Sequence, residues 1–304
     1  MAEPRAHHIH SSSLGLTARP GRLPGPSIVS LPATSAPDSR QRTGALVLGT
    51  LTAFAAAELL VTYGNPIAGI VLHAVILTSL IAAAGLGTDV AQPSANNRLL
   101  YSLTLVPLIR ILSLSMPLAR FDPAVWYVMA GLPVFLAALV IMGPLRLRPA
   151  AIGLRPSWSP LQPSVAVLGF ALGFFEYQIL RPKPLIEDLT LSSFVLPALI
   201  LLIATGFLEE FLFRGILQTT ASPVLGRFAV PYVSVVFAIL HIGYRSAADV
   251  AFVLAIALIY GWVVRRTGSI MGVSMSHGIT NIMLFLVVPF IPALTARPDW
   301  LALP

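Results

Sequence analysis

The sequence predicts an all-α protein, a polytopic membrane bundle of eight or nine transmembrane helices. Three observations predict it. Hydrophobic residues make up 56% of the 304 positions and charged residues only 10%, with a mean hydropathy of +0.85; that balance is rare in a soluble protein of this size. Nine apolar runs follow one another, most of them close to the ~20 residues that cross a bilayer. The arginines lie mostly between those runs. The net charge of +7 is therefore read as orientation in the bilayer, with no nucleic acid as partner. The absence of cysteine removes disulfides, thiolate nucleophiles and Cys-ligated metal together.

Residues 1–43 are rich in Pro, Ser, Gly and Arg and contain no apolar core of signal-peptide length. They are expected to form a disordered cytoplasmic tail. Its histidines (His7, His8, His10) are read as solvated. The apolar runs fall at 44–63, 66–87, 99–118, 124–145, 161–180, 191–213, 228–244, 250–264 and 270–291. The runs at 228–244 and 250–264 are short, which leaves eight or nine spans. With nine spans and the N-terminus inside, the inner segments hold twelve arginines, from Arg5 to Arg266. The outer ones hold five basic residues, Arg120, Arg181, Lys183, Arg245 and Arg297. A multi-pass protein of the cell membrane with its N-terminus in the cytoplasm follows from that bias. The Arg-rich stretch at 145–163 divides the chain into N-terminal transmembrane helices (44–148) and a second domain (149–304) whose motif core is 190–291.

Charged residues inside a span cost roughly 2.5–3.5 kcal/mol each, so each asks for a reason. In the front half Glu58, His73 and Arg110 lie within spans. A Glu58–Arg110 pair that fastens helices is preferred to a substrate path. Glu176 is near a span end, and no chemistry is attached to it. In the back half Gly206–Gly215 reads GFLEEFLFRG and puts Glu209, Glu210 and Arg214 into one apolar helix. Glu210 and Arg214 are four apart and share a face; Glu209 is turned by ~100°. Glu210 is therefore expected to pair with Arg214 as structure, leaving Glu209 free for chemistry. Phe237 and His241 share a face of the next segment, and His277 and Asn281 a face of the last. Ser274, Ser276 and Gly278 would let another backbone come close to His277.

Glu-Glu-x-x-x-Arg, Phe-x-x-x-His and His-x-x-x-Asn, in that order on successive membrane segments, resemble the CPBP family (CAAX prenyl proteases and bacteriocin-processing enzymes, also called Abi). The resemblance covers about residues 190–291. The turn at Gly153-Leu154-Arg155 is similar to a common lead-in to that domain. Other intramembrane protease patterns fit less well. No His is followed by Glu as in His-Glu-x-x-His. Gly85-Leu86-Gly87-Thr88-Asp89 departs from Gly-x-Gly-Asp, and Gly272-Val273-Ser274-Met275 from Gly-x-Ser-Gly.

The resemblance implies hydrolysis of a peptide bond in or next to the bilayer, on a protein or peptide substrate that is membrane-bound or lipidated. Catalytic residues would be Glu209, His241, His277 and Asn281, with Glu210, Arg214 and Phe237 structural. Two mechanisms stay open. In one, Glu209 and His241 deprotonate water and His277 with Asn281 stabilises the oxyanion. In the other, Glu209, His241 and His277 hold Zn²⁺, which acidifies the water. Asn is an uncommon zinc ligand, which favours the first. A scaffold or immunity protein without catalysis and a transporter are the competing functions. Nine straight spans carry a conflict of their own: they would set His241 near the outer end of its helix and His277 near the inner end.

Overall fold

The computed structural model of the chain describes residues 39–85, 93–116 and 121–295. Every regular element among them is helical. The N-terminal histidine cluster and most of the expected tail lie outside the described residues. The first helix, α1 (Ser39–Tyr63), takes in the last five residues that the sequence assigned to that tail.

Local chemistry ends and starts the first helices where the sequence suggests. The tail of α1 meets α2 (Pro66–Gly85) at Gly64–Asn65, where Asn65 Oδ1 accepts from Ala68 N at 3.1 Å and Pro66 opens the helix. The third span is split into α3 (Ala95–Leu103) and α4 (Leu105–Ser115). Pro107, which has no N–H, sits just past that break. Asp122 caps α5 (Pro123–Met142), its side chain accepting from Ala124 N at 2.8 Å. The next helix, α6 (Leu161–Leu180), stops at Arg181 in a left-handed conformation.

Among the described residues, eight helical stretches are long and apolar enough to cross a membrane. The sequence reading separated 191–213 from 228–244 by a loop, and here the structure differs. The two runs belong to one 54-residue helical stretch, Leu191–Tyr244. It contains α7 (Leu191–Ile200), a π-helical segment (Leu201–Phe207), α8 (Leu208–Glu210), a second π segment (Phe211–Leu217) and α9 (Gln218–Leu225). A 3₁₀ turn (Gly226–Phe228) then leads into α10 (Ala229–Ile239) and a last 3₁₀ turn (Leu240–Tyr244).

The polar run that looked like a loop is helical because each side chain finds a partner. Gln218 Nε2 donates to Gly261 O at 3.0 Å, Thr219 Oγ1 to Ala151 O at 3.3 Å, and Thr220 shares a 2.6 Å hydrogen bond with Ser102. The reversal is confined to Gly226, at φ 55° and ψ −120°, where an L residue would be strained.

This hairpin removes the depth conflict between the histidines. Glu210 lies sixteen positions before Gly226 and His241 fifteen after it, so antiparallel arms bring them level. A second hairpin joins α11 (Ala247–Thr267) to α12 (Met271–Ile282) through Gly268, at φ 67°. Tyr260, eight positions before Gly268, donates to Ser276 Oγ, eight after it, at 2.7 Å. The same end of the bundle carries the 145–163 loop: Ile270 N donates to Gly153 O at 3.1 Å and Arg155 Nε to Gly268 O at 2.9 Å.

Helix α12 lies against α6 and against the π segment at Leu201–Phe207. Glycines permit both contacts. A Cβ on Gly206 would stand 2.5 Å from Gly278 N, and one on Gly169 or Gly173 would strike the Ser276 or Thr280 carbonyl. The apolar core runs through both halves, from Phe54, Leu99 and Val134 to Phe211, Val233 and Tyr260.

Gly206→Ala is therefore expected to force the 201–207 segment and α12 apart. Overpacking of this kind costs about 1–3 kcal/mol. Thermal unfolding in detergent should show a clearly lowered midpoint for Gly206→Ala, and an unchanged one would mean that the crossing has room to spare.

Candidate active site

The two glutamates occupy the three-residue α8, between two π-helical segments. Such segments alter the angular spacing of side chains and recur at functional sites. Glu210 is fully buried. Its Oε1 accepts from Arg214 Nη1 at 2.9 Å, one turn on, and from His277 Nδ1 at 2.9 Å across the helix crossing. Glu209 turns the other way. Its side chain is 35% exposed, and its Oε2 lies 3.7 Å from His277 Nε2. The ring of His277 thus spans both carboxylates, one nitrogen to each.

Phe237 holds the second motif against the first. Its ring packs edge-on against Phe213, receives the Arg214 guanidinium at 4.5 Å, and touches both His241 and His277 with centroids at 4.8 and 6.1 Å. Its backbone carbonyl, not its ring, orients His241: Nδ1 and the Phe237 oxygen are 3.0 Å apart. A carbonyl only accepts, so Nδ1 carries the hydrogen and Nε2 offers a lone pair. Tyr244 stacks on the other side of the imidazole at 5.8 Å.

Asn281, one turn beyond His277, donates from Nδ2 to Thr205 Oγ1 at 2.9 Å, while Thr205 donates to the Leu201 carbonyl. His277 and Asn281 therefore both face the 201–210 segment, and the second Nδ2 hydrogen of Asn281 stays available.

The ionisable residues fall around two cavities, and Asn281 lines neither. A small one of about 30 Å³ is bounded by Glu210, Arg214, His241, Tyr260, His277 and Glu176, with room for a water. A larger one of about 320 Å³ is lined by Glu209, Tyr127, Tyr244 and Arg110. The Glu209–His277 contact links them. Glu209 and His241, expected side by side, thus open on different cavities. Among the described residues no three His, Asp or Glu side chains are gathered tightly enough to hold a metal ion. The set Glu209, His241 and His277 does not fit Zn²⁺ in this arrangement.

Sequence reasoning missed Glu176, Tyr244 and Tyr127. Glu176 looked like an interfacial residue, yet it is 8% exposed and faces His241 and His277; its depth in a glycine-lined helix was the available signal. Tyr244 follows His241 by three, a spacing that the motif left unused. Tyr127 had no signal.

Removing Arg214 leaves Glu210 buried with one partner fewer, and breaking a buried pair costs about 3–5 kcal/mol. Arg214→Met should sharply reduce the amount of folded protein in detergent, and adding Glu210→Gln should recover part of it. Wild-type melting for Arg214→Met alone would show that the pair does not hold the fold.

Residues 191–283 match the family model described as type II CAAX prenyl endopeptidase Rce1-like, a stretch that includes all seven motif residues. No curated protein and no solved structure matches the chain. The match supports a membrane endopeptidase of the CAAX type in general. The match of residues 191–283 to an Rce1-like domain is consistent with a CPBP-family protease.

Proposed function

We propose that the protein is a membrane-embedded endopeptidase in which Glu209 activates the attacking water. One observation carries the reading: a partly exposed carboxylate stands at the wall of the larger cavity, 3.7 Å from a histidine that a second, buried glutamate holds in place. Contacts of that length in a substrate-free site tighten when the reactants enter.

Glu209 takes a proton from water as the oxygen attacks the scissile carbonyl carbon. The carbonyl π electrons move onto oxygen, and His277 Nε2–H and Asn281 Nδ2–H donate to that oxyanion. Nε2 must carry a proton for this, and the carboxylates on either side of the ring balance the charge of that form. Collapse of the intermediate breaks the C–N bond, and the amine leaves with the proton from Glu209. His241 has its lone pair on Nε2, which suits it to accept a hydrogen bond from water and not to donate to an oxyanion. Glu210, Arg214 and Phe237 position His277 and His241.

An apolar groove of about 330 Å³ runs between α5 and the 191–208 segment, lined by Leu132, Phe135, Ile203 and Phe207. It shares Gly131, Ala204 and Leu208 with the Glu209 cavity. A lipidated or membrane-bound peptide would enter here, its apolar part in the groove and its scissile bond at Glu209. The arginine bias puts the N-terminus, and the end of the bundle carrying Arg155 and Arg265, in the cytoplasm.

Purified protein assayed on a prenylated CAAX peptide tests the reading. Glu209→Gln should abolish hydrolysis while the protein stays folded. Asn281→Ala should lower kcat by about 10²-fold with little change in KM, as for loss of one oxyanion donor. A purely structural Asn281 would instead lower the melting temperature and leave the rate per folded molecule unchanged. Dialysis against a chelator should leave activity in place. Zinc bound one per chain, with activity lost on its removal and restored on its return, would replace this mechanism by the metal one. Full activity in Glu209→Gln would remove Glu209 as the base, and no hydrolysis by the folded wild-type protein would favour a scaffold or transport role.

A further inference from the structure

The cavity that holds Glu209 has a second charged residue, and it comes from the front half, where the sequence carries no motif. Arg110 of α4 lines the same space of about 320 Å³. Its guanidinium is anchored from behind. Nε donates to Glu58 Oε1 at 2.6 Å, and His73 Nε2 lies 3.1 Å from the same oxygen. Glu58 and His73 are fully buried, whereas the Arg110 side chain is 16% exposed. Among the described residues neither Nη1 nor Nη2 makes a hydrogen bond.

A pair that serves only to fasten two helices has no need to leave the fork of the guanidinium unspent. Here the anchor uses one of the five N–H donors and leaves the bidentate face over for something else. Glu58 fixes the side chain beforehand, so little rotamer freedom remains to be lost when an anion arrives. Arg110 is not spent on Glu209 either: the ion pairs within 4.0 Å join Arg110 to Glu58 and Glu209 to His277. One cavity thus offers a carboxylate and a guanidinium that do not neutralise each other.

The cavity is at the small end of ligand sites, which span about 300–1,000 Å³. It suits a chain end of a few residues better than a polypeptide passing through. The anion that every peptide chain end brings is its α-carboxylate, a group that fits the guanidinium fork. We propose that Arg110 is a carboxylate subsite: it binds the C-terminal carboxylate of the peptide and so sets how many residues separate the chain end from the bond presented to Glu209. The proposal rests on the peptidase reading above, but its test reads binding separately from hydrolysis.

The test uses the full-length Glu209→Gln chain in phosphatidylcholine nanodiscs. The probes are a fluorescent farnesylated CAAX peptide with a free C-terminal carboxylate and the same peptide as its C-terminal carboxamide. The carboxylate form should bind at least about 10-fold more tightly, as a charge-assisted hydrogen bond would give. Combining Glu58→Gln with Arg110→Gln avoids a stranded charge and should bring the ratio to within about twofold. Arg110→Lys keeps the charge and the Glu58 pair but loses the fork, and should give an intermediate ratio; it decides the matter if the Gln pair fails to fold. Equal binding of the two peptides, no binding of either, or a preference that survives in the Arg110 variants overturns the subsite. So does Arg110-dependent binding of phosphatidylglycerol with no carboxylate preference, which would make the anion a lipid headgroup. Hydrolysis by Glu209→Gln at the wild-type rate, with the carboxylate preference intact, would instead remove Glu209 as the base and leave the subsite standing.

Discussion

The double hydrogen bond at Glu210 Oε1 is the interaction on which the rest of the site depends. A lone carboxylate with no access to water in an apolar interior costs several kcal/mol. Glu210 offsets that cost by accepting from two side chains on two helices, Arg214 one turn on and His277 on α12. Arg214 in turn lies over Phe237, which orients His241 through its carbonyl. One buried oxygen therefore fixes the relative positions of all three polar motifs. Because Glu210 takes up these donors, Glu209 keeps its oxygens for the larger cavity.

That arrangement is possible only because backbones approach unusually closely. Gly206 and Gly278 face each other where the 201–207 segment crosses α12. Side chains next to the glycines and one turn beyond them reach across, Glu209 and Glu210 to His277 and Asn281 to Thr205. In a membrane, where lipid is as apolar as Leu, such contacts supply much of what holds helices together. The π-helical segments flanking α8 belong to the same economy. They shift the helix phase on either side of α8, while the two adjacent glutamates, ~100° apart as in a regular helix, straddle a single imidazole.

Much of this was legible in the sequence, and the gaps have physical reasons. The spans could be read because a bilayer imposes one length and one composition on every crossing. The Glu210–Arg214 contact could be read from four-residue spacing, and the Glu58–Arg110 contact from the rule that charges in lipid find partners. The continuous 191–244 stretch could not be read so. Hydropathy stops at Arg214, and the partners that make Gln218, Thr219 and Thr220 helical (Gly261, Ala151 and Ser102) are far away in sequence. Depth was lost with it: treating 228–244 as an independent span separated His241 from His277. The division of the residues between two cavities was equally hidden, since it depends on side-chain direction around π segments. Glu176 was overlooked because a carboxylate near a span end is ordinarily interfacial.

One electrostatic rule links the site to the motif-free front half. Within the bundle, five of the ionisable side chains near the two cavities, with His73 and Glu58, form small clusters in which acid meets a cationic or hydrogen-donating group: Glu58 with Arg110 and His73, and Glu209 and Glu210 with Arg214 and His277; the buried Asp249 carboxylate stands outside this pattern. At an effective interior dielectric near 20, charges 4 Å apart interact by about 4 kcal/mol, so neutral clusters are the form in which a membrane interior tolerates ions at all. What differs between clusters is how completely they close. Glu210 and Arg214 are buried and spend their charge on each other, and their role is position. Glu209 and Arg110 each have one anchored side and one side open to the same cavity. An ion that its partner stabilises but does not consume keeps its capacity to act on a third group, and in this bundle the two that do so face one space.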